Sequence, residues 1–134
     1  MSNLDIKQLL EKLEKLRIPR GKYLIYGSGP LAARGLREID DLDVAIDDEI
    51  YNKLAKKYPE RQKPKFSHIV IGEIDLIPAK DTLIENFDQT LANADIIFGH
   101  KFVRLDDLIR WKKKMGRKKD FEDIKLIEKF LKQK

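Results

Sequence analysis

Residues 23–47 read YLIYGSGPLAARGLREIDDLDVAID, and the alternation at the end of this stretch decides the fold. Leu42, Val44 and Ile46 alternate with Asp41, Asp43 and Ala45, the period of two by which a strand buries one face and presents the other. Asp41 and Asp43 therefore leave the same face. Like charges side by side repel, which costs stability unless a cation sits between them, so the pair is a candidate divalent metal site. Its hard oxygens suit Mg2+ better than Zn2+, and the chain has no cysteine to supply a soft ligand.

Upstream, residues 22–26 read as a buried strand, Gly27-Ser28-Gly29 breaks it, and Pro30 opens a short helix beginning Leu31-Ala32-Ala33-Arg34. A serine flanked by glycines at a helix start offers free N–H groups to an anion, and the small residues let a phosphate approach closely. Taken alone, such a motif is more often a plain turn.

At 134 residues the chain, 1–134, reads as a single domain large enough for a core without disulfides. Its hydrophobic fraction of 42% is ordinary and its charged fraction of 38% high. Absence of cysteine fits a reducing compartment. No stretch reaches the ~18 consecutive apolar residues of a membrane span and the start has no signal-peptide core, so we expect no membrane association and a cytoplasmic location.

The net charge of +5 permits a polyanionic partner, but the excess is concentrated in residues 110–119, which hold Arg110, Lys112, Lys113, Lys114, Arg117, Lys118 and Lys119. Such a run is either a solvated helix face or an anion site. Nucleic-acid binding is not favoured, because Trp111 is the one aromatic among these bases.

Elsewhere, Ile6, Leu9, Leu10, Leu13 and Leu16 predict a helix over residues 3–17. Asp47 or Asp48 caps a helix over 49–58, and 59–64 reads as a polar, proline-bounded loop. Residues 66–71 and 74–77 form a hairpin about Gly72-Glu73, with Asp75 on the face opposite Ile74 and Leu76. A lone strand acid usually guards an edge; beside the earlier strand it would instead bring three carboxylates together. A short helix around 83–87 capped by Asp81, and short strands around Gly99-His100, are the expectations for the next segment. Asp106 is expected to cap a helix over 107–115 stopped by Gly116, followed by a last helix over 118–132 with Phe121, Ile124, Ile127 and Leu131 inward. His68, His100 and Trp111 read as ordinary core or surface residues.

Gly27-Ser28, a short helix, Asp41-x-Asp43 and a later strand acid at Asp75 together resemble the nucleotidyltransferase superfamily that includes DNA polymerase β, kanamycin and lincosamide nucleotidyltransferases and small antitoxin proteins. Arg37 before Asp41 is similar to the Arg-x-x-x-Asp-x-Asp run of single-domain and lincosamide-like members. Lys112, Gly116-Arg117-Lys118-Lys119-Asp120 and Asp123 look like the Lys...Gly-Arg-x-Lys-Asp...Asp segment of those relatives. Two departures stand out: Ile39 replaces a common threonine or serine, and the segment from Gly27 to Asp41 is longer than in the antitoxin branch, which usually reads Gly-Ser-x-Ala-x-Gly.

The resemblance implies an α+β, nucleotidyltransferase-like mixed β-sheet flanked by helices, with an N-terminal helix and a C-terminal helix pair. It implies a Mg2+-dependent transfer of a nucleoside monophosphate from a nucleoside triphosphate, ATP first among candidates, to a hydroxyl acceptor. Asp41, Asp43 and Asp75 would be the catalytic and metal-binding acids; Gly27, Ser28, Arg37, Lys112, Arg117 and Lys119 would bind the nucleotide. For the bases of the tail, the competing reading is pairing with Asp120 and Asp123. A homodimer could complete an acceptor pocket. The alternative is a non-catalytic member of the same fold, acting as an antitoxin or protein-binding adaptor.

Overall fold

Seven strands form one mixed sheet in the order β3-β4-β5-β2-β1-β7-β6. The computed structural model describes residues 5–133. The strands are β1 (Tyr23–Tyr26), β2 (Leu42–Ile46), β3 (Glu60–Gln62), β4 (Ser67–Ile71), β5 (Ile74–Pro78), β6 (Asp95–Ile97) and β7 (His100–Phe102). The helices are α1 (Ile6–Glu14), α2 (Gly29–Ala32), α3 (Asp48–Ala55), α4 (Phe87–Ala92), α5 (Leu105–Met115) and α6 (Lys118–Lys132), with a 3-10 turn over Ala79–Asp81. At the centre, β2 pairs antiparallel with β1 and parallel with β5. The hairpin β4–β5 then extends one side, and β7–β6 extends the other through a parallel β1–β7 pairing.

Alternation along β1 and β2 supplies two cores. Ile25, Leu42, Val44 and Ile46 join Ile69, Ile74, Leu76 and Phe102 beneath the apolar stripe of α1, Ile6, Leu9, Leu10 and Leu13. Leu24, Ala45 and Val103 face the other way, against Leu105, Leu108 and Trp111 of α5 and Ile127 of α6. Burying each face behind helices leaves the strand heads, where the acids stand, outside both cores.

Local signals set most element ends. Asp5 caps α1 by accepting the Gln8 N–H at 2.9 Å, while the Gln8 side chain accepts the Asp5 N–H at 3.0 Å. The helix stops at Glu14, short of the expected residue 17, and Arg17 has a positive φ of 55°. The expected start at Asn3 lies outside the described residues. Asp47 caps α3 as expected. Gly116, at φ 64°, ends α5 in the left-handed conformation that glycine adopts without steric cost.

Four expectations are corrected. The 59–64 loop contains β3, an edge strand whose exposed Glu60, Arg61 and Gln62 carry no apolar period. Asp81 caps no helix: it accepts the Ser67 N–H at 3.0 Å, and α4 starts later with Asn86 as its cap. Asp106 lies inside α5, which begins at Leu105. Phe121 and Leu131 point outward, 49% and 43% exposed, because Asp120 and Asp123 join Ile124 and Ile127 on the inward stripe of α6.

His100 is buried and ties three elements together. Its Nδ1 lies 2.7 Å from the Tyr23 hydroxyl of β1, and its Nε2 2.8 Å from Glu14 of α1. Among the described residues no helix is long and apolar enough to cross a membrane.

Candidate active site

Register builds the site. Asp43 of β2 stands opposite Asp75 of the parallel neighbour β5, and opposite Tyr26 of β1 on the other side. Asp41 is exposed in the bend immediately before β2, and its charge acts on Asp43. Asp43 is half-buried among negative charges. Burial first, then Asp75 and Asp41, push its carboxyl up to about 6, against a weaker opposing pull from Lys112 and Lys119. The same burial, with Asp43 and Asp75 adjacent, drives the Tyr26 phenol well above its ordinary value.

The Gly27 turn lies against this group. With φ at 67°, Gly27 sits where L side chains strain, and a Cβ built on it would come 2.5 Å from Asp43 Oδ2. Glycine is thus demanded twice, by backbone conformation and by the closeness of the carboxylate. Ser28 precedes α2 and makes no side-chain capping bond, leaving its hydroxyl uncommitted to the helix start.

The basic residues behave differently from one another. Lys112 is buried, with its Nζ 2.9 Å from Asp123 Oδ2 and 3.9 Å from Asp120 Oδ1. Arg37 Nη1 donates to both oxygens of Asp123 at 2.9 Å, and Arg117 donates to Asp120 through Nε at 2.7 Å and Nη2 at 3.1 Å. Burial would raise Asp120, but bonds from the Arg117 side chain and backbone, with the Arg117 and Lys112 charges, hold it below the ordinary carboxylate range. Three of the four expected nucleotide-binding bases therefore spend donors on two buried acids of α6. Lys119 is exposed, and its charge reaches Asp43.

Sequence reading missed His68. It is 6% exposed on β4, its Nδ1 lies 2.7 Å from Asp75 Oδ1, and its Nε2 is buried without a partner. The available signal was its place two residues before Val70, in a strand whose Ile69 turns to the core.

Among the described residues, no group of three or more histidine or acidic side chains stands close enough to hold a metal ion. Asp75 is instead engaged by His68, so the expected three-carboxylate ligand set is not assembled in this arrangement. The chemistry still suits Mg2+: the donors are carboxylate oxygens, and burial, then the neighbouring Asp75 and Asp41, push Asp43 up. Magnesium is commonly held by one or two carboxylates together with substrate phosphates and water rather than by a complete protein cage.

No protein-family model and no curated protein matches the sequence. A crystal structure from Thermotoga maritima, described as a candidate nucleotidyltransferase, is similar to this one with a TM-score of 0.56 over 98% of each chain, at 18% sequence identity. At that identity the likeness speaks for the fold. The chain accordingly shares the α+β fold of that structure, with a mixed seven-stranded sheet, an N-terminal helix and a C-terminal helix pair.

Proposed function

We propose that this protein is a Mg2+-dependent nucleotidyltransferase that moves a nucleoside monophosphate from a nucleoside triphosphate, ATP being the first to test, to a hydroxyl acceptor. The observation that carries the reading is the pairing of Asp43 with Asp75 across adjacent strands, beside a glycine turn that only a residue without Cβ fits. Repelling carboxylates cost stability in the free protein, and a cation together with a polyphosphate would offset that cost.

Asp41 and Asp43 would hold the metal against the triphosphate, with Asp75 as the third ligand, and the Gly27-Ser28 turn would bind the β and γ phosphates. When bound, Mg2+ supplies charge neutralisation as pyrophosphate leaves. The acceptor oxygen attacks the α-phosphorus, the bond to the β-phosphate oxygen breaks, and Asp75 takes the hydroxyl proton. Lys119 is the base best placed to reach phosphate. Lys112 acts through its field on Asp43, while Arg37 and Arg117 fix Asp123 and Asp120 and so hold α6 in place. Much of the rate would come from alignment, worth up to ~7–11 kcal/mol in favourable cases.

Calorimetric titration of ATP with and without Mg2+ tests this. Metal-dependent binding that disappears in the double variant Asp41→Asn, Asp43→Asn supports it, and no binding in either condition rejects it. A second reading, a non-catalytic adaptor of the same fold, draws support from the exposed Phe121, Leu126 and Leu131 of α6. Stoichiometric binding of a protein partner that Asp75→Asn leaves untouched would favour it.

A further inference from the structure

We propose that His68 is a positioning residue for Asp75, donating its Nδ1 hydrogen to Oδ1 and so orienting the carboxylate for its role at the site; this rests on the function proposed above. The two groups come from different strands of one hairpin. Val70 is the register partner of Asp75, and His68, two residues earlier, rises from the same face of β4. Their contact is therefore diagonal across the strand pair, at 2.7 Å. Phe66 closes edge-on against the imidazole, with ring centroids 5.2 Å apart, and limits its rotation.

The unpartnered nitrogen indicates the tautomer. With hydrogen on Nδ1, the ring donates to Asp75 and leaves only a lone pair buried at Nε2. With hydrogen on Nε2, a buried N–H would lack an acceptor, and the Nδ1 lone pair would face a carboxylate oxygen. A carboxylate serving at a metal and a reacting hydroxyl needs its orientation fixed, and a hydrogen bond from behind does so. With Oδ1 occupied by His68, Oδ2 is the oxygen left to face substrate.

Isosteric substitutions separate this role from simple packing. The amide nitrogen of His68→Asn can occupy the place of Nδ1, whereas that of His68→Gln approximates Nε2. In the full chain with Mn2+ and ATP as probes, followed by electron paramagnetic resonance, we expect Asn to stay within about threefold of wild type. Gln and Leu should lose roughly 10–100-fold in metal affinity, the effect usual when the support of a ligand is removed, if Asp75 joins Asp41 and Asp43 at the ion through its free Oδ2 once the nucleotide binds. Nitrogen-15 NMR of the metal-free protein should show hydrogen on Nδ1 of His68, with that resonance moving in Asp75→Asn.

A hydrogen on Nε2, or a Gln variant that binds as wild type while Asn fails, would overturn the proposal. Wild-type protein that binds no Mn2+ and ATP would defeat the functional reading instead, and the NMR tautomer would still decide whether His68 donates to Asp75.

Discussion

Replacing Asp43 by asparagine removes a negative charge while keeping the side-chain shape, and the structure sets the size of the effect. Carrying the carboxyl from its ordinary 3.8 to about 6 costs the ionised form roughly 3 kcal/mol at neutral pH. Because the folded value is raised, the unfavourable contribution is small below the unfolded value and grows as pH rises to the folded one. The folded state binds more protons in this window, so stability falls as pH increases. In metal-free buffer with a chelator, Asp43→Asn should match wild type near pH 4, pull ahead between about pH 4 and 6, and hold a constant lead above about pH 7. For 134 residues each kcal/mol is roughly 3–4 °C in Tm, so the lead is up to about 10 °C. Urea unfolding at several pH values, with thermal scans alongside, measures it. A lead that does not change with pH, or a variant less stable at pH 7, would refute the assigned repulsion. Added Mg2+ and ATP should shrink the lead by stabilising wild type alone.

Other substitutions probe the surroundings of the acids. Gly27→Ala places a Cβ against Asp43 in a left-handed backbone; denaturant melts should show a loss of about 1–3 kcal/mol, with weaker Mg2+-dependent ATP binding by calorimetry. Lys112→Met leaves buried Asp123 with Arg37 as its remaining cation, and urea unfolding should register a loss of about 3–5 kcal/mol. It also removes a charge that favours ionised Asp43, so carboxyl NMR should find the Asp43 midpoint higher still. Phe102→Ala empties a fully buried site between α1 and the sheet, and equilibrium unfolding should lose about 3–5 kcal/mol without changing nucleotide affinity.

What the sequence discloses and what it hides divide along one line, the distance over which the deciding interaction acts. Strand alternation, helix periodicity and caps such as Asp47 involve neighbours a few residues apart, and these placed β2, the hairpin, α1 and the C-terminal pair. The shared face of Asp43 and Asp75 followed once β2 and β5 were set side by side. By contrast, α6 shows why hydrophobicity alone misorients a helix. Its inward stripe begins with Asp120 and Asp123: Asp120 is paired locally by Arg117, but Asp123 is tolerated inside because Arg37, from the segment before β2, and Lys112, from α5, arrive to pair with it. Nothing within α6 announces Arg37, whose contact with Asp123 spans 86 positions. Phe121 is displaced to solvent as a result, and Lys112 and Arg117 become supports of the fold, while Lys119 stays exposed. His68 was hidden for the same reason: its significance lies in a partner on the next strand, and a single histidine among Ser67, Ile69 and Val70 carries no sign of the carboxylate it faces. Polar groups at a site are therefore legible when their own strand or helix positions them, and become so only in three dimensions when another element supplies the counter-charge.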